Sequence, residues 1–222
     1  LSKHLKINSK KILYCDHHLS HTLSGLYYRN INPCVSIVID GFGDDSCSTI
    51  HHIKSSKEII KLWSSKFPHS LGLFYSAITD YLGFAVNEGE YKVMGLAAFG
   101  EPIYYDKLME TINFHNGELY LNTEYYDFVR SVQRSYSFKL RELFGLKERS
   151  SNARLEMNTF EFQDYANIAA SAQKVVERNL VEIFKYAHEI TKEKTFIFSG
   201  GVAMNSVAIN KLVDNHFIDK II

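Results

Sequence analysis

An α/β fold is the architecture that this 222-residue sequence predicts, and three observations carry the prediction. Short runs rich in β-branched and other apolar residues lie at 35–39 and 58–63, bounded by turn-forming residues. The stretch 160–190 keeps its apolar residues on one helical stripe. Between 195 and 213 an apolar run meets Ser199-Gly200-Gly201 and then a helical pattern, the grammar of a strand, a tight turn and a helix.

In chain order, the run 11–15 predicts a first strand, and Asp16 is a good N-cap for a helix over 17–28. The run 35–39 ends on Asp40 and turns through 41–45 into 46–53, which alternates well enough to pair back as a hairpin. With 58–63 following, the sheet is expected to contain an antiparallel portion. From Ser70, the residues Leu71, Phe74, Tyr75, Ile78 and Leu82 form one helical stripe that Gly83 ends. Residues 87–97 embed charges and glycines in apolar surroundings and predict a turn leading into a short helix. The aromatic and charged stretch 104–158 has no strong period and reads as an insertion, with a short helix near 105–113 and a hairpin around Asn116-Gly117. The pattern over 160–190 predicts one long helix or two abutting ones, with Ala166, Ala169, Ala170, Val176, Leu180 and Ile183 buried. A strand at 195–198, a glycine turn, a helix over 202–213 and a new strand from 218 complete the chain.

Composition excludes several classes. Lys and Arg number 25 and so do Asp and Glu, and the resulting zero net charge argues against nucleic acid or an anionic membrane as partner. Hydrophobic residues at 45% and charged residues at 23% are ordinary for a folded domain, so disorder is not expected. Cys15, Cys34 and Cys47 are odd in number without CxxC spacing, which excludes a disulfide framework or thiolate zinc site and suggests a reducing compartment. No apolar run approaches the ~20 residues of a membrane span, and a cytoplasmic protein is expected. The chain starts on Leu1 and ends on Ile221-Ile222, which looks like a strand stopped partway, so a piece of something longer is expected.

His17 and His21, four apart, share one helix face and can share a divalent metal. Such pairs also arise as ordinary satisfied helix histidines. His18 beside them, and Asp40 at the end of the adjacent strand, strengthen the metal reading, because two imidazoles and a carboxylate leave coordination positions open for a ligand's oxygens. Asp40-Gly41-Phe42-Gly43 offers glycines that let backbone approach a ligand with positive φ, or forms a plain hairpin turn. Ser199-Gly200-Gly201 opens a helix after a buried strand, where free N–H groups and the helix dipole could receive phosphate; it is also common packing grammar. Asn205, one turn into that helix, is a nucleotide contact or a solvated residue. Glu88, Glu90 and Lys92 precede an apolar tail and stand at a cleft or pair with one another. No nucleophile elbow, GxxxxGK loop or GxGxxG fingerprint occurs.

Five ordered strings carry more than spacing: Asp16-His17-His18-Leu19-Ser20-His21, Ile39-Asp40-Gly41, the run 67–75, the run 89–97, and Ser199-Gly200-Gly201-Val202-Ala203-Met204-Asn205. Together they resemble the carbamoyltransferase family of nodulation and antibiotic-tailoring enzymes, over most of the chain and least over 104–158. The resemblance implies the actin-like ATPase fold (ribonuclease H-like, ASKHA), shared with the enzymes that place threonylcarbamoyl on tRNA adenosine. It also implies an O-carbamoyltransferase: a C-terminal domain makes carbamoyl-adenylate from carbamoyl phosphate and ATP, and the actin-like domain passes the carbamoyl group to a hydroxyl of a small-molecule acceptor with help from a divalent metal. Iron is the first choice and zinc or manganese the alternatives. By position, His17, His21 and Asp40 match the metal-ligand motif, while Gly200, Gly201 and Asn205 match the adenosine-binding turn. Gly41, Glu90 and Lys92 belong to strings near the nucleotide, and His18 is the candidate general base.

The sequence departs from that pattern at both ends. It starts after the first strand and phosphate loop, stops before a further metal-binding Asp and the closing glycine motif, and lacks the adenylate-forming domain. The expectation is therefore a partial domain over 1–222, with 1–65 in a first subdomain, 66–158 a helical insertion region, and 159–222 an incomplete nucleotide-binding second subdomain. Two alternatives remain: a tRNA threonylcarbamoyl transferase-like enzyme, and a catalytically incomplete nucleotide-binding scaffold.

Overall fold

A computed structural model describes residues 2–6, 8–29, 31–131 and 133–222. Its centre is a mixed five-stranded sheet. Strand β1 (Cys34–Gly43) pairs antiparallel with β2 (Ser46–Ser55), which pairs antiparallel with β3 (Glu58–Ser65). Two further strands, β6 (Thr195–Ser199) and β7 (Lys220–Ile221), extend the sheet in parallel on the other side of β1, giving the order β3-β2-β1-β6-β7. The strands on either side of the long central region therefore belong to one sheet. A hairpin of β4 (Ile112–His115) and β5 (Glu118–Leu121) stands apart, turning on Asn116 and Gly117, both at positive φ as a tight two-residue turn requires.

The antiparallel portion and the α/β class follow the sequence reading, with two local differences. The β1 strand runs on to Gly43 with a bulge between Ile39 and Gly43, and its turn is Asp44-Asp45. The residue with positive φ there is Asp44, while Gly41 and Gly43 remain outside that region, so the glycines of 40–43 do not serve the turn. Residues 12–16 are not a strand: a 3-10 turn over Ser9–Lys11 precedes irregular chain, and Leu13 and Tyr14 are 91% and 88% exposed. An apolar run becomes a strand only where a neighbouring edge takes up its backbone groups, and β3 and β7 are the edges of this sheet.

One face of the sheet is covered by α3 (Leu71–Tyr81) and by α7 (Phe160–Thr191), a single helix of 32 residues. All six residues of the predicted stripe on α7 are buried. Thr159 caps its start by accepting the Phe162 N–H, and Lys192 at φ 64° ends it. The predicted helix near 105–113 is shorter, α5 (Tyr105–Met109), because the chain from Ile112 is drawn into β4. A further helix, α6 (Phe138–Phe144), lies in the same region, and α4 (Glu90–Ala97) follows the expected turn. The opposite face is covered by α2 (His17–Arg29), capped by Asp16, whose Oδ1 accepts the Leu19 N–H at 2.7 Å. After β6 the chain does not enter the helix directly. A 3-10 turn over Gly201–Met204 comes first, and Asn205 then caps α8 (Ser206–Val213), accepting the Ala208 N–H at 3.0 Å. The expected helix over 202–213 is thus broken at Asn205, whose side chain competes for the backbone donors that a continuous helix would use.

Candidate functional site

The site forms where the start of α2, the end of β1 and the glycine turn after β6 meet. Three imidazoles surround one carboxylate oxygen. His17 Nε2 lies 3.1 Å, His21 Nε2 3.2 Å and His18 Nε2 4.0 Å from Asp40 Oδ2. The i,i+4 spacing sets His17 and His21 on one side of the helix with ring centroids 4.9 Å apart, and His18 points into the protein, 1% exposed. The His17 backbone N–H donates to Asp44 Oδ2 at 2.8 Å, which ties the helix start to the β1–β2 turn.

Asp40 is held from three directions. Its other carboxylate oxygen, Oδ1, accepts the backbone N–H of Gly201. Its carbonyl accepts the Ser70 hydroxyl, which also reaches the Gly41 carbonyl at 2.7 Å and caps α3. The bulge beside it frees the residue from the regular ladder, a common device next to functional sites. Gly200 makes the turn possible: its φ is 93°, and a Cβ there would stand 2.5 Å from the Ile39 carbonyl oxygen. At Gly43 a Cβ would stand 2.4 Å from the His17 ring, so this glycine is what lets the imidazole lie against β1.

These groups border an open groove of about 350 Å³ lined by Cys15, His17, Ser20, His21, Ser24 and Asp44. A set of imidazoles around a carboxylate can hold a divalent cation. The chemistry of the donors fits, and so does one orphan: His18 Nε2 is buried without a hydrogen-bond partner. Burial lowers the His18 pKa, against the opposing pull of Asp40, so the ring is neutral. The Cys47 thiol is pushed up to about 11 by burial and stays protonated.

The remaining sequence-predicted residues divide. Gly201 joins the cluster through its N–H, and Gly41 through the Ser70 hydroxyl. Glu90 is the first residue of α4, where its Oε1 accepts the Asn87 N–H at 3.0 Å and the Ser76 hydroxyl at 2.9 Å, tying the turn before α4 to α3. Lys92 is exposed, with its Nζ 5.8 Å from the Tyr91 ring centroid and 5.9 Å from that of Phe84. The link from α4 to the glycine turn runs instead from Met94 Sδ to the Ser206 hydroxyl, 3.9 Å apart. Asn205 makes a reciprocal amide pair with Gln173 of α7, at 2.9 and 3.1 Å, and Gln173 also accepts the buried Tyr75 hydroxyl at 2.9 Å. Sequence reasoning missed Gln173, Thr49 and Asp44. The only trace of the first two is a polar residue at a position whose period says buried.

A family model described as the carbamoyltransferase N-terminus matches residues 1–221. The chain is 32% identical over 204 residues to the uncharacterized protein sll1178 of Synechocystis sp., covering 91% of this chain and 32% of that protein. It is 29% identical over 208 residues to the nodulation protein NolNO of Sinorhizobium fredii, covering 94% of this chain and 28% of that one. A tRNA N6-adenosine threonylcarbamoyltransferase of Mycoplasmopsis synoviae is 27% identical over 169 residues, 68% of this chain and 50% of its own length. The chain spans about a third of the length of the first two of these relatives.

Proposed function

The chain belongs to the carbamoyltransferase N-terminus family, and on that premise we propose that it carries the carbamoyl-transfer site of an O-carbamoyltransferase with the actin-like fold. The strand order β3-β2-β1-β6-β7, with an antiparallel meander joined to parallel strands, is compatible with that fold. In this reading the donor is carbamoyl-adenylate, made from carbamoyl phosphate and ATP elsewhere in the whole protein, and the acceptor is the hydroxyl of a small molecule. His17, His21 and Asp40 hold a divalent metal, iron first and zinc or manganese as alternatives. When bound, the metal would draw electron density from the carbamoyl carbonyl and stabilise its oxyanion.

The chain's own residues orient the reactants. The Gly200-Gly201 turn receives the adenylate, with Asn205 shaping the turn from behind because both of its amide atoms are engaged. As the acceptor oxygen bonds to the carbamoyl carbon, the bond from that carbon to the AMP phosphate oxygen breaks, the electron pair leaves with AMP, and the hydroxyl proton passes to the leaving phosphate or to solvent. The observation that carries this reading is the double use of Asp40. One of its oxygens faces the imidazoles and the other holds Gly201, so the cation site and the nucleotide turn share a single rigid carboxylate.

Elemental analysis and adenine-nucleotide affinity, measured on the chain and on a His17→Ala/His21→Ala variant, test it. The expected result is stoichiometric metal and metal-dependent nucleotide binding in the wild type, both lost in the variant. A folded wild-type chain that takes up no divalent metal refutes the reading.

A further inference from the structure

We infer that Phe42, Phe67 and Phe128 form the acceptor platform of the proposed transfer site, and that the acceptor carries its hydroxyl on or beside a flat apolar ring. The inference rests on the carbamoyl-transfer reading and names a substrate class for it. Three separate segments supply the rings: the end of β1, the turn between β3 and α3, and the chain after β5. Phe42 and Phe67 meet edge to face with centroids 5.7 Å apart, and Phe67 meets Phe128 in the same way at 6.1 Å. Phe42 is 55% and Phe67 42% exposed, while Phe128 is half-buried.

Single exposed apolar side chains are ordinary, but contiguous exposed rings mark a place where something binds. These rings are held from below. Phe128 stacks on Tyr126 at 5.9 Å, and Tyr126, fully buried, packs against Phe74 of α3 and bonds the Thr111 hydroxyl at 2.5 Å. A row anchored in the core keeps its outer rings in place beforehand, so little ordering entropy is lost when a ligand lands on it. The row is also continuous with the site. Phe42 stands two residues after Asp40, and Phe67 three before Ser70, whose hydroxyl donates to the carbonyls of Asp40 and Gly41. Gly43 lies against the His17 ring and Phe42, one residue earlier, against Phe67, so the end of β1 joins the imidazoles to the platform. That continuity makes the acceptor, and not a protein partner, the occupant. Ring chemistry sets its class. Phenylalanine rings offer no hydrogen-bonding atom, and the hydroxyls of Tyr126 and Ser70 are already engaged. A polyhydroxylated ligand would leave hydroxyls unpaired against these rings, whereas a flat apolar ring gains stacking and burial.

The test titrates the whole chain, isotope-labelled at phenylalanine, with naphthol and with methyl glucoside and follows both by NMR. Naphthol is expected to shift the ring signals of Phe42, Phe67 and Phe128, and methyl glucoside to leave them in place. Phe42→Ala and Phe67→Ala remove exposed rings without opening the core, and each is expected to weaken naphthol binding about tenfold. Manganese ties the platform to the site: protons of bound naphthol are expected to relax faster on the manganese-loaded chain than on the zinc-loaded one. Shifts that spare the three rings, or equal shifts with methyl glucoside, overturn the inference. So does naphthol on the rings without relaxation by bound manganese, a result that leaves the metal reading standing. A folded chain that takes up neither metal overturns the transfer-site reading and the acceptor role together. Self-association that covers the three rings, seen by sedimentation, assigns them to a second copy of the chain and also overturns the inference.

Discussion

The two faces of the five-stranded sheet are built from different chemistry. Toward α3 and α7, Val35, Ile37, Ile39, Ile50, Phe196 and Phe198 pack with Phe74, Ile78, Leu180, Ile183 and Phe184 in one continuous apolar cluster. Toward α2, among the described residues, the buried cluster is smaller, Leu26, Cys34, Ile53 and Ile197, and beside it lie His18, Thr22, Ser36, Thr49 and His51, all buried. Those polar groups are tied in pairs: Thr22 to Ser36 at 3.0 Å, Thr22 to His51 at 3.3 Å, and His18 to Thr49 at 3.1 Å. Burying polar groups is worthwhile only when they are satisfied, and even then an apolar layer stabilises more. The first face supplies the stability, and the second gives some of it up to hold the residues around Asp40 in fixed orientations.

The asymmetry has a direct test. Phe184, fully buried between β6 and the rest of the core, is expected to lose about 3–5 kcal/mol on substitution by Ala, through lost burial and the cavity left behind. Leu26→Ala, on the thin face and next to the solvent-exposed side of α2, is expected at or below the low end of the usual range for such substitutions, about 2 kcal/mol. Urea unfolding of both variants checks this, and equal losses would mean that the two faces carry equal weight.

The polar face is also expected to be the acid-sensitive one. Burial, and secondarily Lys61, lower the His51 pKa from 6.5 to about 4. Above pH 6.5 the ring is neutral in folded and unfolded chains alike, so it adds no pH dependence. Between 6.5 and about 4 the unfolded chain binds a proton that the folded one refuses, and stability falls by up to ~1.4 kcal/mol per pH unit. Burial lowers His18 in the same direction, so in the metal-free chain its contribution has the same sign. Unfolding midpoints at pH 7, 6 and 5 are expected to drop more steeply for the wild type than for His51→Asn. Parallel slopes would place the acid sensitivity elsewhere.

How much of this was legible in the sequence depended on how local the cause was. Asp16 capping α2, the Asn116-Gly117 hairpin and the stripe of α7 are set by neighbours within a few residues, and each stands where the pattern put it. The strand expected at 11–15 failed because having a partner edge is not a local property. The break at Asn205 was missed because a helical period hides a capping side chain until its contacts are known. In the site, spacing alone put His17 and His21 on one face. Bringing Asp40 and Gly201 to them took the bulge in β1 and the parallel pairing of Val38 with Ser199, across more than 150 residues of chain. The family resemblance picked out Glu90 and Lys92 as a segment but could not foresee that Glu90 would bond the Asn87 N–H and the Ser76 hydroxyl of α3.

A polar knot around Gln173 interrupts the apolar face, and it gives the smallest and most specific prediction. Gln173 accepts the Tyr75 hydroxyl, pairs with both amide atoms of Asn205, and reaches Glu177 at 3.1 Å. Burial, with Glu177 and Glu90 nearby, pushes the Tyr75 hydroxyl well above its usual pKa and keeps it a donor. Gln173→Leu preserves volume but leaves that donor and the Asn205 amide unpaired, so a loss of about 1–3 kcal/mol is expected, the desolvation cost of stranded polar groups. If the knot were ordinary core, the effect would end there. Because Asn205 both caps α8 and closes the turn that carries Gly200 and Gly201, the variant is also expected to bind adenine nucleotide several-fold more weakly while its metal content stays unchanged. Weaker nucleotide binding at constant metal would assign the knot to the turn, whereas a stability loss with unaltered affinity would return it to the core.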